Sequence, residues 1–119
     1  IVDIFSSCHL TTNQGLEFLE NCNNKLKKNG FFFSYFPSKK SKMFKNKKNI
    51  YLDKNTIHNN MKYKTIYKIN NFPLRFLSKN DYLKILKEKK FKVTYFEELT
   101  KTYFNGRDHF TFNVIEAQK

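Results

Sequence analysis

The chain has 119 residues, of which 39% are hydrophobic and 18% aromatic, and it carries a formal charge of +13. That length allows one domain whose core removes roughly two-thirds of the unfolded surface from water; the aromatic content excludes a disordered basic tail, and no apolar run reaches the ~18 residues needed to cross a bilayer. Cys8 and Cys22 are too few for a disulfide framework and match no zinc spacing, so a reduced cytoplasmic setting without a metal is expected.

The first apolar run, residues 1 to 6, reads as a buried parallel strand bounded by Ser6 and Ser7. A strand at the first residue, with no initiating methionine or secretion signal, suggests that a longer chain continues upstream. Thr11-Thr12-Asn13 is a helix cap, and Leu16, Leu19, Cys22 and Leu26 follow at helical spacing. Lys25, Lys27 and Lys28 suit the last turn, and Asn29-Gly30 stops the helix, with Gly30 free to turn left-handed. Phe31 to Phe36 is a second strand, ended by Pro37.

Residues 38 to 75 interrupt the pattern. A basic run of Lys39, Lys40, Lys42, Lys45, Lys47 and Lys48 surrounds Met43 and Phe44. A loosely alternating tract through Tyr51, His58 and Tyr67 follows, consistent with short helices or a hairpin, and the whole segment reads as an insertion. Ser78-Lys79-Asn80-Asp81 then opens a helix ending near Lys90, with Tyr82, Ile85 and Leu86 on its inner face. Phe91 to Phe96 alternates like a strand, Asn105-Gly106 marks a turn, and Phe110 to Ile115 forms the last strand. Alternating strands and helices argue for an α/β sheet, and the closing hairpin makes the final strand antiparallel to its neighbour.

Only Arg75 and Arg107 are arginines; the other 21 basic residues are lysines. Nucleic-acid sites lean on arginine for two-pronged phosphate and base contacts. The charge is therefore read as lysine filling solvated positions, and nucleic acid is a partner left open but not favoured.

The order of these segments resembles the C-terminal half of the class I S-adenosylmethionine (SAM)-dependent methyltransferases. Asp3 in Val2-Asp3-Ile4 matches the aspartate of the family's fourth strand, and Ser6-Ser7-Cys8-His9-Leu10 matches the small-residue segment that follows. Leu26-Lys27-Lys28-Asn29-Gly30 matches the turn into the fifth strand, without that turn's proline and first glycine. Phe91-Lys92-Val93 and the segment from His109 to Lys119 match the final two strands. The resemblance implies a Rossmann-like sheet holding strands 4, 5, 7 and 6, the last in chain order antiparallel, with helices on its faces.

It also implies a SAM-dependent transfer, with a small molecule favoured as acceptor over RNA. A basic RNA- or partner-binding module without enzymatic activity is the alternative. The glycine-rich loop and ribose-binding acid of the family belong to its N-terminal half, and the chain has no G-x-G-x-x-G. The resemblance thus implies that the chain alone binds SAM poorly and needs the other half of the domain.

By the same resemblance, Ser6, Ser7 and Cys8 would line the cofactor and His9 would face the substrate, as base or orienter. Alternatively, His9 caps the following helix or bonds a backbone carbonyl. Cys8 has no basic neighbour to make it nucleophilic and is a small filler. Arg75, whose planar fork lysine cannot replace, is assigned either to a substrate anion or to a structural ion pair or ring stack. Tyr67 is a candidate wall of the substrate pocket, or else part of the insertion's apolar face.

Overall fold

The structure is a computed structural model, and it describes residues 1–59 and 72–119. Strand β1 (Val2–Ile4) leads through a 3-10 turn (Ser7–His9) into helix α1 (Thr12–Lys25) and strand β2 (Phe31–Pro37). The segment after β2 supplies β3 (Ile50–Asp53), β4 (Thr56–Asn59) and β5 (Phe72–Arg75). Helix α2 (Lys79–Glu88) and the hairpin β6 (Lys92–Tyr103) and β7 (Asp108–Gln118) complete the chain.

The main sheet has the order β1-β2-β7-β6. β1 runs parallel to β2, with Asp3 opposite Ser34, while β7 runs antiparallel to both β2 and β6. This is the order and polarity expected of strands 4, 5, 7 and 6. β1, β2 and β6 all point the same way, and the crossovers between them advance in one direction across the sheet. Right-handed crossovers of that kind place their helices on one face. Accordingly α1 and α2 lie side by side, joined by a Glu20–Lys89 ion pair of 2.6 Å and an Asn23 Nδ2 bond to the Lys90 carbonyl.

The helix-covered face of the sheet holds Asp3, Phe32, Ser34 and Phe36, all buried. Tyr82 of α2 drops onto it, its ring 5.3 Å from that of Phe36 and its hydroxyl donating to Ser34 Oγ at 2.7 Å. Leu19 and Cys22 of α1, and Leu86 and Phe91, fill the remainder. The opposite face leaves Val2, Ile4 and Phe31 at 69%, 54% and 49% exposure, and the outer edge of β1 has no strand partner among the described residues.

Three local expectations change. α1 ends at Lys25, so Lys27 and Lys28 lie past it. The left-handed residue there is Asn29 (φ 64°), not Gly30. Asparagine tolerates that region. Gly30 is instead constrained by space, since a Cβ would lie 2.9 Å from the Lys27 carbonyl oxygen. β6 runs to Tyr103 rather than Phe96. A bulge between Val93 and Tyr95 shifts its phase, and pairing with β7 carries it through a stretch whose own sequence does not alternate. The segment between β2 and α2 contains a hairpin, and β3, β4 and β5 form a separate antiparallel sheet.

Candidate functional site

The site is built where β1 leaves the sheet. Phe5 adopts φ 51°, a region costly for a bulky L-residue. Its ring is held edge-on against Tyr35 and Phe112 at 5.1 and 5.3 Å. The resulting sharp corner puts Ser6 in solvent and starts the 3-10 turn. Asp3, buried in β1, holds that turn. Its Oδ1 accepts the Ser7 N–H at 2.9 Å and its Oδ2 accepts the Ser7 hydroxyl.

Cys8 is fully buried behind the turn. Burial first, and the nearby Asp3 charge second, push its thiol up to about 12, which makes it inert at neutral pH. His9 is half-buried, with Nδ1 3.0 Å from the Pro73 carbonyl oxygen of β5 and its ring edge-on to Phe72. A carbonyl only accepts, so in the neutral ring Nδ1 carries the proton and Nε2 keeps a free lone pair.

Arg75 closes the site from the end of β5. It is 4% exposed. Its Nη2 donates to the Ser7 carbonyl at 3.1 Å and its Nη1 to the carbonyls of Thr11 and Thr12 at 3.3 and 3.5 Å. The guanidinium lies 5.0 Å from the Phe36 ring centroid and occupies the space above Gly15, where a Cβ would sit 1.2 Å from Nη1. Burial lowers its pKa, and the charges of Asp3 and Asp53 act against that. The planar fork is thus spent on backbone carbonyls at both ends of the segment that carries His9.

Asp53, which belongs to no motif of the sequence, completes the frame. Asp53, at the end of β3, accepts the Thr12 N–H at 3.0 Å and the Thr12 hydroxyl at 2.7 Å, and so caps the first turn of α1 from outside. It also accepts from the Asn55 N–H and the Thr56 hydroxyl. Burial alone would raise its carboxyl, but the four hydrogen bonds outweigh it and hold it at about 2. No spacing within the sequence foretells a cap supplied from 41 residues away. The local half of the cap was legible: Gln14 Oε1 accepts the Thr11 N–H at 3.0 Å.

The structure therefore brings Ser6, Ser7, Cys8, His9 and Arg75 into one cluster at the end of β1, and Tyr67 lies outside the described residues. Among the described residues, no group of three His, Cys, Asp or Glu side chains could hold a metal, and no helix is long and apolar enough to cross a membrane.

No protein-family profile and no curated protein matches the sequence. Solved structures do. A SAM-dependent methyltransferase from Methanosarcina mazei superposes with a TM-score of 0.73 at 13% identity, over 99% of this chain and 57% of that one. The fold is that of the class I SAM-dependent methyltransferases. A second similar structure is 1,6-didemethyltoxoflavin-N1-methyltransferase from Burkholderia thailandensis, with 1,6-didemethyltoxoflavin and S-adenosylhomocysteine bound. It has a TM-score of 0.62 at 12% identity, over 99% of this chain and 42% of that one. The chain thus spans about half the length of either methyltransferase.

Proposed function

We propose that this chain is the C-terminal half of a SAM-dependent methyltransferase domain acting on a small molecule. The observation that carries the reading is the cluster at the end of β1, set in a sheet of methyltransferase order and polarity. Of the three residues assigned to the cofactor, Ser6 has an accessible side chain. Ser7 and Cys8 are buried and would act through the shape of the turn, which Asp3 fixes. These residues fit one wall of such a site.

SAM, when bound, supplies an electrophilic methyl group. This chain's part is to orient the acceptor and manage its proton. The Pro73 carbonyl leaves His9 Nε2 as a proton acceptor, and the Arg75 clamp fixes the segment that carries the ring. The insertion, through Phe72 and Tyr67, is proposed to wall the acceptor's pocket. Arg75 is proposed to serve the acceptor by holding this wall in place. RNA is the second reading for the acceptor, and the charge of the chain is what favours it.

The test is calorimetric titration of S-adenosylhomocysteine into the longest natural polypeptide that contains this chain. Micromolar binding is expected. His9→Ala should leave that affinity unchanged while slowing methyl transfer about a hundredfold, within the usual contribution of a general base. No binding by the folded, complete protein would overturn the reading.

A further inference from the structure

The basic run between Ser38 and Asn49 is not a loose loop. It is a string of tight turns, with backbone bonds from Ser41 to Ser38, Phe44 to Ser41, Lys45 to Lys42 and Asn49 to Asn46. Buried side chains pin it to the domain. The Ser41 hydroxyl both donates to the Thr111 carbonyl and accepts the Thr111 N–H at 3.0 Å, and Met43 enters the core at 2% exposure. Asn49 Nδ2 ties its end back to the carbonyls of Met43 and Phe44 at 2.8 and 3.0 Å. With Ser38, Ser41 and Met43 buried, the outward positions fall largely to lysine.

The anchored run faces the start of α2. Between them lies a cleft of about 340 Å³ lined by Lys39, Lys40, Lys45 and Lys79, with Glu98 its one carboxylate among the described residues. Glu98 is paired with Lys40 at 2.5 Å, and Asp81, close by, with Lys39 at 3.7 Å. No carboxylate lies within ion-pair distance of Lys45 or Lys79 among the described residues. A bond from Lys42 Nζ to the Arg107 carbonyl brings the tip of the β6–β7 hairpin, with its own cation, beside the run.

The lysines thus stand on an anchored backbone and converge on one cleft. We infer that this cleft binds the phosphodiester backbone of a single-stranded nucleic acid. Fixing the lysines' backbone in advance lowers the entropy lost on binding. A concave groove admits a strand, whereas the flat surface of an anionic bilayer touches only protrusions. Tyr51, half exposed and edge-on to Phe44 at the end of the run, offers a face on which a base can stack. The cleft itself is lined by lysine, with Arg107 outside its lining, which gives charge without two-pronged base reading, so binding is indifferent to sequence and steep in salt. The inference stands apart from the cofactor reading, since either can fail alone.

The test is fluorescence anisotropy of labelled oligouridine with the full-length protein, over a salt series. Lys45→Glu with Lys79→Glu reverses two exposed charges in the cleft, and an acid in the first turn of α2 suits the helix. Lys27→Glu with Lys28→Glu makes the same charge change at the opposite end of β2. The cleft pair should raise Kd about tenfold or more and flatten the log–log salt slope by about 1.4, two contacts at ~0.7 each. The distant pair should change Kd by no more than about twofold. Equal weakening by both pairs would overturn the inference. So would absence of binding at low salt, or tighter binding to phosphatidylserine-containing vesicles than to oligouridine.

Discussion

Gly15 and Arg75 occupy one space, and their interdependence can be measured. Gly15→Ala places a methyl carbon 1.2 Å from Nη1 and 2.0 Å from Cζ of a side chain that is 4% exposed, so the guanidinium must leave. Its departure forfeits three bonds to carbonyls, each worth about 1 kcal/mol net, and a cation–π contact with Phe36 of about 1 kcal/mol. The carbonyls of Ser7 and Thr11 keep backbone partners in Leu10 and Gly15, so no orphaned acceptor adds to the cost. Alanine returns about 1 kcal/mol of helix propensity. The expected net loss is about 3 kcal/mol. In an Arg75→Met background the obstruction is gone, and Gly15→Ala should be neutral or stabilising by up to ~1 kcal/mol. Urea unfolding followed by circular dichroism, on the four members of the cycle, should give a coupling of about 3 to 4 kcal/mol. Additive losses would refute the account of the clamp.

Two further predictions concern protons. Asp53 titrates well below its ordinary value, so its capping of α1 contributes stability that is present above about pH 4 and lost as pH falls toward about 2. The stability gap between the wild type and Asp53→Asn should therefore close over that window; a gap independent of pH would refute the cap. Cys8, with its thiol at about 12, should resist iodoacetamide at pH 8 in the native protein and react once urea unfolds it. Rapid native labelling would show that the turn does not shield it.

The sheet was legible because its signals are local and redundant. Phe31 to Phe36 is a short apolar, aromatic run closed by Pro37, and Ser78 with Asp81 marks the start of α2, where the structure shows the Ser78 hydroxyl accepting the Asp81 N–H at 3.1 Å. Order along the chain then implied neighbours in space. The far half of β6 was not legible, because β7 rather than its own alternation holds Glu97 to Tyr103 in line. Ser6 to His9 were found through the frame around Asp3, but their division of labour was not. Which serine faces solvent depends on the Phe5 corner, and a left-handed phenylalanine has no sequence signature. Arg75 stood out by its rarity, yet the carbonyls it grips belong to backbone, which every sequence has.

The Asp53 cap and the Arg75 clamp carry a consequence for engineering. A segment between two sheet elements invites treatment as a cassette, to be exchanged between proteins to change what they accept. Here it is not separable. Removing residues 38 to 75 would strip the first turn of α1 of the Thr12 N–H partner and open a void above Gly15. A chimera that imports a foreign insertion must import an acid and an arginine at equivalent places, or supply α1 with a new N-terminal cap and a larger residue at position 15. Natural recombination across this boundary meets the same constraint, so the insertion and the start of α1 are expected to be inherited as one unit.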